Sequence, residues 1–511
     1  MPNEIELKLL IDPQDISRLW RHPLLVAHTR QKLPVQKLLS IYYDTPELTL
    51  HENKIAVRLR RVGRRWIQTV KTEGSVVAGL HERPEWEQET AENTLMLQAL
   101  PDPMLHQFFA EDTVRMALQP VFTTEFSRSR RMLELNGDVI EFSLDRGEIR
   151  AGERTQPISE VELELKSGVL GRLFEVAFGL QDTIPLRLEN VSKAERGYRL
   201  VTGATIASEK ASMPTLNPDE APTAAFVHIA QSCLTHLQAN EKGVLSEDEP
   251  EFIHQMRVAS RRLRSAFSIF ADLISTERLV PIREELRWLA RELDGARNWD
   301  VFVLQTLPPI CTAFPDHDGL CWLATQSAEL RQQANAQARA AVASARYHKF
   351  LLTFGAWLAM DAWRAQNNGN SSEALESSVL DFAARVLQKR HKQLKKRGAH
   401  LVTQTPNERH AVRIAAKKLR YAAEFFSSLF PRKRTQRYID ALAALQDILG
   451  IMNDSATTVT LMQQLATAES DTLRHQAKGI VLGWAAGKSH AQLNTLETTW
   501  SKFLARKTFW S

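Results

Sequence analysis

Cysteine is scarce in this 511-residue chain: Cys233, Cys311 and Cys321 are the three, all in the second half. That count excludes a disulfide-stapled scaffold and suits small thiols in a reducing compartment. Long apolar runs are missing as well. Nothing approaches the ~20 consecutive apolar residues that cross a bilayer, so no membrane association is expected. The opening MPNEIELKLL lacks a basic stretch followed by an apolar one, so no secretory leader is expected and the expected location is cytoplasmic. Aromatic residues make up only 7% and few accompany the basic clusters, which disfavours base stacking and hence nucleic-acid binding.

What remains is a globular composition, 43% hydrophobic and 24% charged, in a chain long enough for two or three domains. Its charge is unevenly divided. Residues 1–220 carry 28 Lys+Arg against 33 Asp+Glu, a net −5; residues 221–511 carry 37 against 27, a net +10. The second half therefore suits a polyanion, while the first mixes both signs for another reason.

A proline-bearing segment without periodicity, Gly203 to Pro222, reads as a linker. It separates two kinds of pattern, with domains expected over 1–202 and 218–506 joined by 203–217. Before it, apolar residues alternate at 3–10, 38–44, 54–61, 64–72, 81–88, 121–134, 138–145 and 158–166. Asn136-Gly137 between two of these is a hairpin signal, and Gly63 and Gly74 mark further tight turns. Helical patterns fill 13–21, 94–110 and 168–181. Eight antiparallel strands with charge on alternate positions predict an α+β domain built on a closed β tunnel.

After the linker the chain reads as all-α, with helices expected at 224–239, 249–274, 278–294, 298–306, 319–345, 348–364, 372–398, 405–429, 435–449 and 454–468. It also repeats itself. His254-x-x-Arg257-x-x-x-Arg261-Arg262-Leu263-Arg264 matches His410-x-x-Arg413-x-x-x-Lys417-Lys418-Leu419-Arg420. Further on, Leu293-Asp-Gly295-x-x-Asn298 echoes Ile448-Leu-Gly450-x-x-Asn453. Two pseudo-symmetric helical bundles account for this.

Residues two apart on a strand share a face, so Glu4, Glu6 and Lys8 project together. The same grammar recurs in Glu160, Glu162, Glu164 and Lys166, and in Arg58 with Arg60, Arg128 with Arg130, Glu85 with Glu87, and Glu141 with Asp145; Lys71 ends its strand. Any one such strand is ordinarily a half-exposed one. Together, if the apolar faces pack outside, the charges line the interior. Several buried carboxylates then need cations, and rings of Arg and Lys need an anion. A divalent metal with a polyphosphate satisfies both, because carboxylates hold hard metals through oxygen and Arg forks match phosphate.

The ordered set Glu4-x-Glu6-x-Lys8, Tyr43-Asp44-Thr45-Pro46, Arg58-Leu-Arg60, Lys71, Arg83-x-Glu85-x-Glu87, Glu162-x-Glu164 and Ser192-Lys193-Ala-Glu-Arg-Gly-Tyr198 resembles the CYTH family, the triphosphate tunnel metalloenzymes, over residues 1 to about 202. The resemblance implies hydrolysis or cyclisation of triphosphates with Mg2+ or Mn2+. It implies Glu4, Glu6, Glu162 and Glu164 as metal ligands, with Asp145 as a fifth. Lys8, Arg58, Arg60, Lys71, Arg128, Arg130 and Lys193 would hold phosphate, and Lys8, Glu4 and Glu6 would be catalytic. Glu85 and Glu87 stay open between ligands and partners of the basic residues.

On the helices, His254, Arg257, Arg261 and Arg264 fall within about 80° at ~100° per residue, as do His410, Arg413, Lys417 and Arg420. A basic stripe is ordinarily a solvated face, but here acidic i+4 partners are scarce and the pattern occurs twice. Neither histidine has a Cys or carboxylate at ligand spacing. These residues, with Arg297-Asn-Trp-Asp300 and Ser344-Ala-Arg346-Tyr347, resemble the CHAD domain over about 218–506. Asn298-Trp299 departs from the Arg-Asp expected there. The resemblance implies binding of inorganic polyphosphate by His254, Arg257, Arg261, Arg264, Arg346, His410, Arg413, Lys417 and Arg420, and association with polyphosphate granules.

The function expected is a metal-dependent inorganic triphosphatase with an attached polyphosphate-binding module. The alternatives are an adenylate cyclase or thiamine triphosphatase of the same family, or a non-catalytic polyphosphate binder.

Overall fold

The computed structural model describes residues 3–90, 94–364, 378–465 and 471–510. The chain forms two compact units, one of residues 1–207 with 344–362, the other of 208–343 with 363–511.

Among the described residues the first unit is built on eleven strands: β1 (Asn3–Leu10), β2 (Thr29–Lys32), β3 (Gln36–Asp44), β4 (Ala56–Val62), β5 (Arg65–Lys71), β6 (Ser75–Val77), β7 (Leu80–Thr90), β8 (Gln119–Leu135), β9 (Asp138–Ala151), β10 (Arg154–Ser167) and β11 (Arg187–Leu188). Eight of them close a ring in the order β1, β10, β9, β8, β3, β4, β5, β7 and back to β1, every pairing antiparallel. These eight are the strands expected from alternation, so the eight-stranded tunnel is present. The β8–β9 hairpin turns at Asn136 and Gly137, with φ of 51° and 87°, as a type I′ turn needs. Gly63 also has positive φ (64°), but Gly74 does not. Gly74 is small for another reason: a Cβ there would lie 2.2 Å from the Glu82 carbonyl oxygen.

Alternation sends Leu7, Leu9, Val161, Leu163, Ile140, Phe142 and Leu144 outward, where all are buried. The helix Gly171–Gln181 covers part of this wall with Leu173, Phe174, Val176, Ala177 and Leu180. Elsewhere Leu97, Leu100, Leu105 and Phe109 cover Val57 and Val70. The helix expected over 94–110 is shorter, a single turn Leu97–Ala99 followed by Pro103–Ala110, because Pro101 and Pro103 interrupt it and Asp102 caps the second piece. The helix Ala345–Ala359, drawn from the middle of the second half, belongs to this unit, with Gly355 directly against Ala78.

The second unit is helical. The helices Pro222–Ala239, Pro250–Ile269 and Thr276–Val301 are matched by Val379–Arg397, Pro406–Phe425 and Arg432–Gln464, and in each trio the middle helix packs on the other two. The two central helices also touch each other. Where a break was expected at Gly450, one helix runs through from Arg432 to Gln464. Leu442, Leu445, Leu449 and Leu461 keep one buried face along it, and that burial outweighs the ~1 kcal/mol helix cost of a glycine. The first residues of the helix expected over 372–398 and the last of that over 454–468 lie outside the described residues. No helix among the described residues is long and apolar enough to cross a membrane.

Candidate functional site

Strand register assembles the tunnel interior. Across β1 and β10, Glu6 faces Glu164 and Lys8 faces Glu162; across β1 and β7, Glu4 faces Arg83 and Glu6 faces His81. Arg58 and Arg60 on β4 face Tyr42 and Ser40 on β3, Lys71 on β5 faces Glu85 on β7, and Arg128 on β8 faces Asp145 on β9. One end of the interior is closed by Leu38, Tyr42, Phe122, Phe126, Ile149 and Ile158 with Tyr198. Tyr198 and Lys193 come from the helix Lys193–Thr202, capped by Ser192, whose Gly197 sits flat on the Phe122 ring.

Above that apolar floor lies a cavity of ≈260 Å³. Glu4, Glu6, Lys8, Arg58, Arg60, Lys71, Arg128, Arg130, Glu162, Glu164 and Lys193 line it, together with Glu85 and Glu87. Of the residues expected to hold metal or phosphate in the tunnel, Asp145 alone does not line it. Its side chain is fully buried, holding Arg128 through both oxygens (2.8 and 2.7 Å) and Lys193 at 2.7 Å.

The charges are paired within the wall. Lys8 Nζ lies 2.5 Å from Glu162 and 2.8 Å from Glu6; Lys71 lies 2.6 Å from Glu4 and 3.0 Å from Glu85. Burial works against the Lys8 ammonium, but Glu162, Glu6, Glu160 and Glu4 outweigh it and raise its pKa. Glu162 shows the reverse: Lys193, Lys8 and Arg128 overcome its burial and hold it well below the usual carboxylate range. Arg60 is short of acid. Burial, then Arg58 and Arg128, bring its pKa down to about 10, with Tyr42 and Glu87 offsetting a little.

Two carboxylate groupings compete as a metal cradle. Asp145, Glu160 and Glu162 lie close enough for one ion, yet Lys193 contacts all three, Arg128 bonds Asp145 and Glu162, and Arg196 bonds Glu160. The chain's own cations pair with that cluster, as Lys71, Lys8 and Lys166 pair with Glu4, Glu6 and Glu164. Toward the other end, Glu164 is raised by its burial and by the negative neighbours Glu4 and Glu141, which Lys166 only partly offsets. An all-oxygen donor set with crowded negative charge fits a hard divalent cation.

Sequence reasoning gave no role to three interior residues. Arg83 lines the cavity, and its Nη2 donates to His81 Nδ1 at 2.7 Å, while His81 Nε2 donates to the Glu189 carbonyl at 2.9 Å. His81 is fully buried, and burial followed by Lys8 lowers its pKa to about 3, so it is neutral. Tyr42 also lines the cavity; Arg58 and Arg60 overcome its burial and lower its pKa. Period two places His81 and Arg83 on the face of Glu85 and Glu87, and the β3–β4 register sets Tyr42 across from Arg58.

In the helical unit, a second cavity of ≈420 Å³ is lined by Arg261, Arg264, Ser265, Phe267, Ser268, Arg283, Arg287, Ile414, Lys417, Lys418 and Tyr421. Arg257 pairs with Asp294 at 2.6 Å, and Nε atoms of Arg261 and Arg413 are buried without a hydrogen-bond partner among the described residues. Burial, then Arg413, Arg261 and Arg257, lower Lys417 to about 7. His254 is lowered to about 4 by burial and then by Arg297, and His410 Nδ1 meets Asn453 Oδ1 at 2.6 Å. The two basic stripes thus converge. Two of the nominated residues have other surroundings. Arg420 turns to Glu424 at 2.7 Å on its own helix, and Arg346 is exposed on the helix Ala345–Ala359 of the first unit. At Asn298-Trp299, Trp299 enters the core and the following Asp300 is buried against Arg331 at 2.7 Å.

Comparison with known proteins agrees with this division. Residues 2–198 match the family model of the CYTH domain and residues 228–463 that of the CHAD domain. An inorganic triphosphatase of Haemophilus influenzae is 38% identical over 205 residues, 39% of this chain and 55% of that protein, so the chain spans about half of that relative's length. An uncharacterized protein of Mycobacterium tuberculosis is 26% identical over 82% of both chains. The crystal structure of a CHAD domain from the plant Ricinus communis superposes with a TM-score of 0.51 at 33% identity, covering 59% of this chain and 98% of that one. The chain belongs to the CYTH and CHAD families, with a CYTH domain followed by a CHAD domain in one polypeptide.

Proposed function

We propose that the tunnel hydrolyses inorganic triphosphate to pyrophosphate and phosphate with Mg2+ or Mn2+, and that the basic helices bind inorganic polyphosphate. The observation that carries this is the two-signed cavity: carboxylates crowd one wall while Arg58, Arg60, Arg128, Arg130, Lys8 and Lys193 face the same ≈260 Å³. That volume suits a short phosphate chain. The relative in Haemophilus influenzae, itself named an inorganic triphosphatase, supports the choice of substrate.

Glu4, Glu6 and Glu164, with Glu162 beyond them, would hold the cation, which supplies Lewis-acid charge neutralisation when bound. The chain does the rest. Arg58, Arg60, Arg128 and Arg130 grip non-bridging oxygens, and Lys8 and Lys193 place point charges where negative charge builds on the transferred phosphoryl. Ion pairs already fixed in the wall hold these groups in place, so little reorganisation accompanies the reaction. The apolar floor blocks one end, which orients a chain entering from the other.

The helical unit contributes a cluster of Arg257, Arg261, Arg413 and Lys417 with few acids, a natural polyanion contact. A substrate panel tests the whole reading. Purified protein is assayed with inorganic triphosphate, ATP and thiamine triphosphate, in Mg2+, Mn2+ and chelator. Preference for inorganic triphosphate and silence in chelator are expected; preference for either organic triphosphate would overturn the substrate assignment.

A further inference from the structure

The helical repeat holds its register without insertion. Pro406 follows Pro250 by 156 residues, and Arg432 follows Thr276 by the same 156. In that register Lys417 answers Arg261, and Arg413 with Gly450 answers Arg257 with Asp294. The ≈420 Å³ cavity breaks this symmetry. Arg283 and Arg287, one turn apart on Thr276–Val301, line it, whereas Ile439 and Ala443 hold the equivalent places in the other copy. Tyr421 lines it where the first copy has Ser265. Ser268 lines it where the second copy has Glu424, an acid that there neutralises Arg420.

A uniform polyanion gains from the added arginines but not from the apolar part of the lining. Its phosphates have no use for Tyr421 or for Ile414, which is 38% exposed seven residues earlier on the same helix face. The pocket combines both chemistries: Arg261, Arg264, Arg283 and Arg287 come from the first copy, Ile414 and Tyr421 flank Lys417 and Lys418 on Pro406–Phe425, and the buried Phe267 joins the lining. A ligand that fills both has an anionic end and a flat apolar end. We infer that this pocket binds a nucleoside polyphosphate, with phosphates toward Arg261, Arg283, Arg287 and Lys417 and the base against Tyr421 and Ile414. Arg guanidinium and Tyr faces both stack on nucleobases. The inference rests on reading these helices as a polyanion site, because Arg261 and Lys417 serve both ligands.

The test is calorimetric titration of the full chain with ATP in chelator, so that no turnover occurs, compared with inorganic triphosphate. Tyr421→Ala should weaken ATP binding about tenfold, the loss expected for one stacking contact, and Arg283→Ala/Arg287→Ala should weaken ATP and inorganic triphosphate alike through lost phosphate contacts. Tyr421→Phe should bind as the parent does. Tyr421→Ala should leave inorganic triphosphate binding, and its hydrolysis in Mg2+, unchanged. If Tyr421→Ala perturbs the melting temperature, Ile414→Asn at an exposed position gives the same reading. ATP binding indifferent to all of these variants overturns the inference, as does an equal loss for inorganic triphosphate in Tyr421→Ala, which would make the pocket a plain phosphate site. Loss of hydrolysis bears only on the tunnel, so the two readings fail separately.

Discussion

Lys8 stands across the β1–β10 ladder from Glu162, and its Nζ donates to Glu162 Oε1 at 2.5 Å. The two residues, 154 positions apart, form the junction between the carboxylate wall and the basic wall of the tunnel. Glu162 keeps Lys193 and Arg128 as partners if Lys8 is removed. Lys8→Ala should therefore leave a folded barrel while lowering triphosphate turnover by at least about 100-fold, the usual cost of losing one charge-stabilising group. Steady-state kinetics beside a thermal melt decide it; full turnover by a folded variant would falsify the tunnel as the active site.

Asp145 gives a contrasting case. Its burial is overcome by Arg128 and Lys193, which hold its pKa below the usual range. A depressed carboxyl contributes stability above its unfolded pKa of about 3.9 and loses it as pH falls further. Asp145→Asn takes one of two carboxylates from Arg128 and one of three from Lys193, so unfolding at pH 7 should show a loss of about 1–3 kcal/mol. The gap between parent and variant should narrow only below about pH 3.9. A variant as stable as the parent that instead needs more metal would return Asp145 to the ligand set.

His81 holds Arg83 from beneath the cavity while staying neutral, with a pKa of about 3. His81→Leu removes the acceptor and frees the guanidinium, so KM for triphosphate should rise about tenfold, in line with the 1–3 kcal/mol cost of an unmet buried donor. The effect should be the same at pH 6 and pH 9, and His81→Gln should recover part of it. A KM unmoved in His81→Leu would show that Arg83 meets no phosphate.

How far the sequence carried this site depends on which contact is asked about. Alternation places Glu4, Glu6 and Lys8 on one face because a strand's side chains have period two, and all three line the cavity. It says nothing of depth. Asp145 shares the interior face, yet lies where Arg128 and Lys193 close over it. Nor does it say which strands are neighbours: β1 lies between β7 and β10, far apart in sequence, and that pairing alone sets His81 beside Glu6. On the helices, the 3.6 period gathered Arg257, Arg261, Arg413 and Lys417 correctly. It could not foresee that Arg420 would turn to Glu424, or that the helix bearing Arg346 would pack in the first unit.

Lys417 makes the polyphosphate reading testable through protons. Burial, then Arg413, Arg261 and Arg257, lower its pKa from 10.5 to about 7, with Asp454 offsetting a little. A bound polyanion stabilises the ammonium and moves that pKa back upward. Between about pH 7 and 10.5, binding must therefore take up a proton, and affinity must fall as pH rises, by up to about tenfold per unit for one linked proton. The terminal oxygens of the ligand titrate as well, so the comparison is with Lys417→Arg, which keeps the charge and removes the titration. Titrations in two buffers of different ionisation enthalpy at pH 8 should show proton uptake in the parent that is smaller in the variant. Equal uptake in both would mean that Lys417 is not in contact with the bound polyphosphate.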